Sequence, residues 1–272
     1  MIWISDTPPP EAGNPPGAWP RILLRGLALA LVFALGLALH FLLRLIERPI
    51  AGARRPASGR LVQIVCVLVL RILRLRVQVT GQPMDSAGAM VGNHISWLDI
   101  LTLHAVCPVA FVSKAEVAGW PGIGLLARVT GTVFIRRDRR EARAQTDLFG
   151  TRLRAGQRLM FFPEGTSSDG QRVLPFKTTL FQAFLAPELR TRLNLQPVSL
   201  RYHAPEGADP RFYGWWGEMD FGAHALTVLA QRRQGRVDLV YHAPIPVASM
   251  PDRKALATAA EAAVRAGFDQ LA

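Results

Sequence analysis

Cysteine is scarce in this chain of 272 residues, which contains only Cys66 and Cys107. The two cysteines lie far apart in the sequence and do not form a close pair of the kind that binds zinc. This scarcity argues against a disulfide framework and against a zinc site, and it is typical of proteins from a reducing compartment. We therefore expect no metal site.

Motifs of several common enzyme classes are also missing. The sequence has no glycine-rich nucleotide-binding motif, no internal repeat and no Gly-x-Ser-x-Gly motif to supply the serine nucleophile of a lipase-like hydrolase. Four histidines share no metal-ligand spacing, and we interpret them as structural residues: His104, His203, His224 and His242. A lipase-like hydrolase is therefore disfavoured.

Acidic residues are few compared with basic ones. The chain has 20 Asp and Glu against 32 Lys and Arg, which gives a formal net charge of +12 at pH 7. This balance suits anionic membrane lipids, phosphate-bearing ligands and acidic carrier proteins. Net charge alone would also fit nucleic acid, but the arginines cluster beside apolar segments, so we expect no nucleic-acid partner.

The first 75 residues have the composition of a membrane anchor. Residues 1–20 contain six prolines and are expected to form a disordered tail. The apolar stretch Gly26–Leu43 meets the minimum length of a membrane-spanning helix. Leu61–Leu75 is interpreted as a helix that lies in or dips into the membrane interface. We assign residues 21–75 to membrane-anchoring helices.

Arginines flank both apolar stretches. More of them follow the first stretch than precede it, which predicts a protein of the inner, cytoplasmic membrane whose downstream domain faces the cytoplasm. A cleavable signal peptide is the alternative. The long polar tail before the apolar stretch and the missing cleavage signal argue against it.

From about Val77 onwards, short β-rich runs alternate with helical segments, which predicts an α/β domain over residues 76–272. Its central sheet is expected to be largely parallel and flanked by helices. A capping pattern at Asp138 and Glu141 predicts a helix that Gly156 ends, and Asp252 precedes a final Ala-rich helix. The candidate strands are Arg76–Thr80, Ala89–Gly92, Val109–Ser113, Thr132–Arg136, Arg158–Phe162, Gln196–Arg201 and Arg236–Tyr241.

The candidate catalytic residues follow the buried strand Ala89–Gly92. His94 comes just after this strand, and Asp99 follows His94 after four residues. A neutral imidazole held by a carboxylate is a general base that takes a proton from a hydroxyl. Ser96 and Asp99 also have the spacing of a capping box that opens a helix. The alternative is therefore a helix cap beside an ordinary loop histidine, and this stretch alone does not decide.

Two further strand ends carry polar groups. The strand to Phe162 is followed by the turn Glu164–Thr166, where Gly165 allows close backbone approach to a ligand and Glu164 could bind a head group or brace an arginine. A turn with a solvated glutamate is the alternative. The strand 132–136 runs into a cluster of arginines, of which Arg137 is expected to face the same mouth as His94. For the later arginines of this cluster we favour a solvated face or lipid contact.

Four motifs together resemble those of the glycerolipid acyltransferases, the family of the 1-acyl-sn-glycerol-3-phosphate acyltransferases and their relatives. The similarity covers roughly residues 76–245. In chain order, the matching motif residues are Asn93, His94 and Asp99; Gly131, Phe134, Ile135 and Arg137; Phe162 to Thr166; and the apolar strand around Pro197. Lys114 and the run Pro175-Phe176-Lys177 look like further landmarks of the family.

The resemblance implies the fold of that family and the transfer of a fatty acyl group to the hydroxyl of a lysolipid. It implies that His94 is the general base, that Asp99 orients it, and that no metal or bound cofactor is needed, because acyl-CoA or acyl-acyl carrier protein is a co-substrate. Residues of the second and third motifs are associated with acceptor binding in the family. The candidate substrate-binding residues, with their neighbours, are Asn93, Lys114, Arg136, Arg137, Glu164, Gly165, Thr166 and Ser167.

The expected acceptor is lysophosphatidic acid, which would become phosphatidic acid, and lyso-ornithine lipid is the alternative. Many phosphate-acceptor members have an arginine at the position of Ser167, and many have Asp or Asn at the position of Arg136. The run Thr166–Gly170 looks similar to relatives that acylate lyso-ornithine lipid, whose head group has an amino group and a carboxylate but no phosphate. Asp169 could meet that ammonium, although a turn aspartate is the commoner role. Outside this class, a non-catalytic membrane-surface scaffold that uses the basic face is the alternative.

Overall fold

The computed structural model describes residues 3–10, 13, 15–52, 54–86, 88–120, 122–135 and 142–272. The predicted substrate-binding residues Arg136 and Arg137 lie outside the described residues.

Two apolar helices form an N-terminal hairpin. Helix α1 (Trp19–Ala51) has 33 residues and helix α2 (Pro56–Leu73) has 18, and both are long and apolar enough to cross a membrane. Leu27, Leu31 and Leu35 recur every four residues along α1 and are 72%, 58% and 62% exposed. A stripe of this kind is unfavourable in water and suits contact with lipid. Both predicted apolar helices are confirmed, and each begins several residues earlier than predicted.

The turn between the two helices is held by charged side chains. The Glu47 carboxylate accepts hydrogen bonds from the backbone N–H groups of Ala57 and Ser58, and it therefore caps the N-terminus of α2. From the same turn, Arg55 donates from Nη1 to the carbonyl of Val129, at 2.6 Å. Its guanidinium lies so close to Gly131 that a Cβ there would be 2.7 Å from Arg55 Cζ. The hairpin thus contacts the first residue of the second motif.

A mixed sheet of eight strands forms the centre of the rest of the chain. The strands are β1 (Arg76–Thr80), β2 (Gly88–Gly92), β3 (Ala110–Lys114), β4 (Val133–Ile135), β5 (Arg158–Phe161), β6 (Asn194–His203), β7 (Arg236–Tyr241) and β8 (Ile245–Pro246). Their order is β1-β7-β6-β2-β5-β3-β4, and β8 pairs with the start of β6. The strands β6, β2, β5, β3 and β4 are parallel to one another, whereas β7 is antiparallel to β6 and parallel to β1.

The largely parallel α/β sheet predicted from the sequence is confirmed, and so are all seven predicted strands to within two residues at each end. The flanking helices are α3 (Leu98–Val106), α4 (Ile123–Thr130), α5 (Ala142–Arg154), α6 (Pro187–Arg190), α7 (Phe221–Ala230) and α8 (Arg253–Gln270). The predicted final helix is confirmed as α8, and Asp252 caps it, because its carboxylate accepts the N–H groups of Lys254 and Ala255. Asp138 and Glu141 lie outside the described part of the chain, so their predicted cap on α5 stays a prediction.

The core lies around the central strands. Every residue of β2 is buried, and Met90 and Val91 have no exposed surface, because β2 is paired on both edges and covered on both faces. The helix α8 packs against β6, α5 packs against β5, and α2 packs against α3. This arrangement fixes the carboxyl ends of β2, β5, β3 and β4 side by side, in that order, along one edge of the sheet.

Residues 3–10 differ from the disordered tail that the sequence predicted. They lie against the α/β domain, where the Trp3 backbone N–H donates to Thr166 and the Arg211 side chain donates to Thr7 and Pro8. Composition predicted disorder because six prolines and few apolar residues cannot form a core of their own. These residues instead use the surface of a domain that is already folded.

Candidate active site

The loop that carries His94 is fixed first by Asn93. The Asn93 amide donates to the carbonyl of Leu200 and accepts the N–H of Leu200, both at 2.9 Å. The side chain therefore pairs with β6 as one more strand residue would, and it is completely buried. Asn93 was predicted to bind substrate, but this geometry gives it the task of holding the end of β2. A role in substrate binding stays a prediction.

The His94 and Asp99 side chains are in direct contact. His94 Nδ1 lies 2.7 Å from Asp99 Oδ2, and Asp99 has no exposed surface. The same oxygen accepts the backbone N–H groups of Ile95 and Ser96, at 2.8 and 3.0 Å. Three donors on one buried oxygen fix both the ring and the loop, because each bond restrains a different part of the segment.

The predicted capping box is only half formed. The Ser96 N–H donates to Asp99 as a capping box requires, but Ser96 Oγ has no hydrogen-bond partner among the described residues. Helix α3 begins at Leu98, which places Trp97 rather than Ser96 at the N-cap position. The Ser96 side chain therefore does not cap this helix, which the sequence had left open, and Asp99 Oδ2 contacts both the His94 ring and the Ser96 N–H.

The outer nitrogen of His94 is available for chemistry. The imidazole stacks on Phe162 with ring centroids 4.1 Å apart and an angle of 5° between the planes, and 21% of the side chain is exposed. Within the described part of the chain, Nε2 makes no hydrogen bond. An ionised Asp99 favours the tautomer with the proton on Nδ1, which leaves a lone pair on Nε2. A base of this kind takes a proton from a hydroxyl that reaches the mouth.

Glu164 supports the histidine loop from the neighbouring strand end. Its Oε2 accepts the His94 N–H and its Oε1 accepts the Leu174 N–H, both at 2.7 Å, and only 1% of the residue is exposed. Burial raises the pKa of Glu164 to about 8, the nearby Asp99 charge adds to the rise, and the two backbone N–H groups oppose it. The carboxylate therefore braces two segments of backbone, and a direct role in acceptor binding stays a prediction.

The turn after Glu164 is also tied to the histidine loop. Gly165 has φ 73°, a left-handed conformation that glycine adopts without strain. The Ser168 backbone N–H donates to the His94 carbonyl at 2.9 Å. Thr166, between them, is half-buried, and its Oγ1 accepts the N–H of Trp3. The sequence predicted that this turn and His94 share one mouth, and the structure places them together.

Ser167 carries no charge into this mouth. Its hydroxyl donates to the carbonyl of Trp215, and the residue is 9% exposed. The Trp215 backbone N–H in turn donates to the Ile95 carbonyl at 2.9 Å, so this loop closes one side of the site.

Asp169 is 2% exposed and accepts from the Gln171 N–H and from Arg172. It is therefore the turn aspartate that the sequence favoured.

Lys114 ends β3, two strands away from β2 at the same edge of the sheet, and is half-buried. Trp97, to which the sequence gave no role, and His224, which it interpreted as a structural histidine, are in contact next to the histidine loop. Trp97 Nε1–H donates to His224 Nδ1 at 2.9 Å, and His224 Nε2 lies 3.2 Å from the Phe212 carbonyl. Burial lowers the pKa of His224, in agreement with a neutral ring that accepts at Nδ1 and donates at Nε2. No motif signals this contact, because its residues are distant in sequence.

A second His–Asp pair lies elsewhere in the chain. His203 Nε2 is 2.8 Å from Asp238 Oδ2, and Arg236 also donates to this carboxylate. It links the end of β6 to β7, and no hydrogen bond joins it to the loop of His94 within the described residues. A His–Asp contact alone therefore does not identify the active site; the surrounding turn does.

Comparison with known proteins gives a consistent result. A family model described as acyltransferase matches residues 76–201. The lyso-ornithine lipid O-acyltransferase of Rhodobacter capsulatus is 54% identical over 99% of this chain and 98% of that protein. The 1-acyl-sn-glycerol-3-phosphate acyltransferase of Neisseria gonorrhoeae is 38% identical over 46% of this chain and 48% of that protein.

A solved structure shares the fold. It is the crystal structure of the 1-acyl-sn-glycerophosphate acyltransferase PlsC from Thermotoga maritima, which has a TM-score of 0.65 with this chain. The match covers 93% of this chain and 97% of that chain, at 23% sequence identity. The match to the full-length relative shows the family that the four motifs indicated, and the solved structure shows the fold alone. The chain belongs to the lysolipid acyltransferase family and is a membrane-associated O-acyltransferase of lipid biosynthesis.

Proposed function

We propose that this enzyme transfers a fatty acyl group from a thioester to the hydroxyl of lyso-ornithine lipid. The observation that carries the choice of acceptor is the 54% identity, over essentially the whole chain, with a lyso-ornithine lipid O-acyltransferase. The site supports it, since Ser167 supplies no cation where many phosphate-acceptor relatives have an arginine, and its hydroxyl is already bonded to Trp215. Lysophosphatidic acid, the acceptor first expected, is the second candidate, supported by the partial match to the Neisseria enzyme.

The proposed mechanism uses the open nitrogen of His94. Nε2 removes the proton of the acceptor hydroxyl, and the oxygen attacks the thioester carbonyl to form a tetrahedral oxyanion. Collapse of this intermediate forms the ester and breaks the carbon–sulfur bond, and the leaving thiolate takes the proton back from His94. Asp99 stabilises the imidazolium between these two steps, because its carboxylate contacts Nδ1 at 2.7 Å.

The donor is acyl-CoA or acyl-acyl carrier protein, and both are cytoplasmic molecules. We place the catalytic domain on the cytoplasmic side of the inner membrane, where these donors occur, and the arginines that flank the first apolar stretch favour contact with the anionic lipids of that leaflet. The net charge of +12 favours contact with anionic lipids and with an acidic carrier protein.

The test is an acceptor comparison. Purified enzyme in vesicles receives one acyl donor and either lyso-ornithine lipid or lysophosphatidic acid, and the diacylated products are quantified. We expect kcat/KM for lyso-ornithine lipid to exceed that for lysophosphatidic acid by about tenfold or more, equivalent to about 1.4 kcal/mol of transition-state discrimination. The reverse ranking would replace the proposal with the second candidate, and turnover of neither acceptor would refute both.

A further inference from the structure

The N-terminal residues 3–10, called here the N-terminal strap, lie across the third-motif turn and the loop before α7. The Trp3 backbone N–H donates to Thr166 Oγ1 at 3.3 Å. At the other end of the strap, Arg211 Nη1 donates to Thr7 Oγ1 and to the Pro8 carbonyl, at 2.7 and 3.0 Å. The strap is thus attached at two separate points.

The Trp3 side chain is held by a row of aromatic and cationic groups. Its ring centroid lies 6.4 Å from that of Trp216, which is 3% exposed. The Arg172 guanidinium lies 5.6 Å from the Trp3 ring, and the Arg211 guanidinium lies 5.9 Å from the Trp216 ring. Contacts of this type are individually weak in partly exposed settings. The strap is therefore held by hydrogen bonds at its two ends and by contacts of the Trp3 ring.

The turn under the strap is the one that holds the catalytic histidine. Phe162 stacks on the His94 ring, Glu164 accepts the His94 N–H, and the Ser168 N–H donates to the His94 carbonyl. Thr166 lies between Glu164 and Ser168. The turn therefore contacts both His94 and Trp3.

We propose that Trp3 is a positioning residue of the acceptor site, which holds the strap over the Thr166 turn and keeps water away from His94 while the lysolipid is bound. This inference rests on the proposed function. If the strap is absent, water competes with the acceptor: His94 takes a proton from water, the water oxygen bonds to the acyl carbon, and the thiolate leaves with that proton. The product is then a free fatty acid instead of a lipid ester.

The experiment compares Trp3→Ala and Trp3→Phe with Ile4→Ala, a neighbouring strap residue that is 73% exposed. Transfer and free fatty acid release are measured together in vesicles. Trp3→Ala should raise the acceptor KM by ~3–10-fold and raise the ratio of hydrolysis to transfer by a similar factor, with kcat for transfer changed by less than about threefold. Trp3→Phe should recover most of the loss, and Ile4→Ala should match wild type.

The outcomes separate the two proposals. The role of Trp3 would be overturned if Trp3→Ala had the same acceptor KM and the same ratio of hydrolysis to transfer as Ile4→Ala. A loss confined to kcat would do so as well, since a residue that only stabilises the fold lowers the amount of active enzyme without changing the product ratio. If wild type acylates lysophosphatidic acid instead, the proposed acceptor fails, and the same ratio measured with that acceptor still tests Trp3.

Discussion

At the scale of single residues, the site depends on two buried acidic side chains with different tasks. Asp99 contacts the imidazole and the two N–H groups that follow it, whereas Glu164 contacts only backbone N–H groups, one of them that of His94. The histidine therefore has its ring fixed from within its own loop and its backbone fixed from the next strand end. Catalysis by a positioned base requires both, because a small displacement of the base lowers the rate substantially.

Glu164→Gln should change how stability depends on pH. Burial raises the pKa of Glu164 to about 8 from its ordinary value of 4.5, so between these values the folded enzyme holds a proton that the unfolded chain has lost. The free energy of unfolding of wild type should then fall, relative to Glu164→Gln, as the pH rises from 4.5 towards 8, and stay level above that. Thermal unfolding midpoints of both proteins in detergent, measured from pH 5 to 9, check this. This prediction would be contradicted if the difference between the two midpoints did not depend on pH. It would also be contradicted if wild type became more stable than Glu164→Gln as the pH rises.

The sequence predicted the residues of the site better than their tasks. His94, Asp99 and the Glu164 turn were found because the residues of each motif lie close together in the sequence, at a fixed spacing. The bracing role of Glu164 and the pairing of Asn93 with β6 could not be read, because their partners, His94, Leu174 and Leu200, lie on other segments that only the folded sheet brings together.

At the scale of elements, the N-terminal hairpin decides how the enzyme meets the membrane. A helix of 33 residues is about 50 Å long. Near its start, Arg25 donates to the Leu229 and Gln231 carbonyls at the end of α7, and just after it Arg55 donates to Val129 at the end of α4. Both ends therefore contact the same catalytic domain. The length of Gly26–Leu43 leaves open whether it spans or re-enters the membrane, and from these contacts we infer that α1 lies along one leaflet.

Cysteine labelling tests this topology. Pro16→Cys, just before α1, and Arg54→Cys, just after it, should both resist a membrane-impermeant maleimide on intact spheroplasts and both react after lysis. Glu218→Cys in the catalytic domain reports the cytoplasmic side, and the native Cys66 and Cys107 are buried, so they give little background. Labelling of exactly one of the two α1 positions on intact cells would show that the helix crosses the membrane.

Element types were more predictable than their directions. Apolar periodicity located all seven strands, because a buried strand needs a short apolar run whichever way it points. It did not show that β7 and β1 run opposite to β6, and it missed β8, whose two residues are too few to give a pattern. Strand direction depends on pairing across the sheet, which the local sequence does not record.

At the scale of the whole molecule, the fold brings a base, its braces and a lipid-facing surface into one unit. The motif strands β2, β5, β3 and β4 are consecutive in the sheet, so their carboxyl ends form a continuous edge that carries His94, the Glu164 turn and Lys114. The apolar hairpin, which we propose as the membrane anchor, contacts Gly131 at the start of the second motif. Membrane attachment and catalysis therefore use different residues, and they can be separated by mutation.

The most direct measurement is acyl transfer to lyso-ornithine lipid by His94→Ala in vesicles, with vesicle co-sedimentation recorded on the same sample. His203→Ala is the matched control, since it disrupts the other His–Asp contact, which has a similar length of 2.8 Å. We predict that His94→Ala lowers the transfer rate by ~10²–10⁴-fold with unchanged co-sedimentation, and that His203→Ala stays within about twofold of wild type. Transfer by His94→Ala within about tenfold of wild type would contradict the account, because a positioned general base contributes more than that.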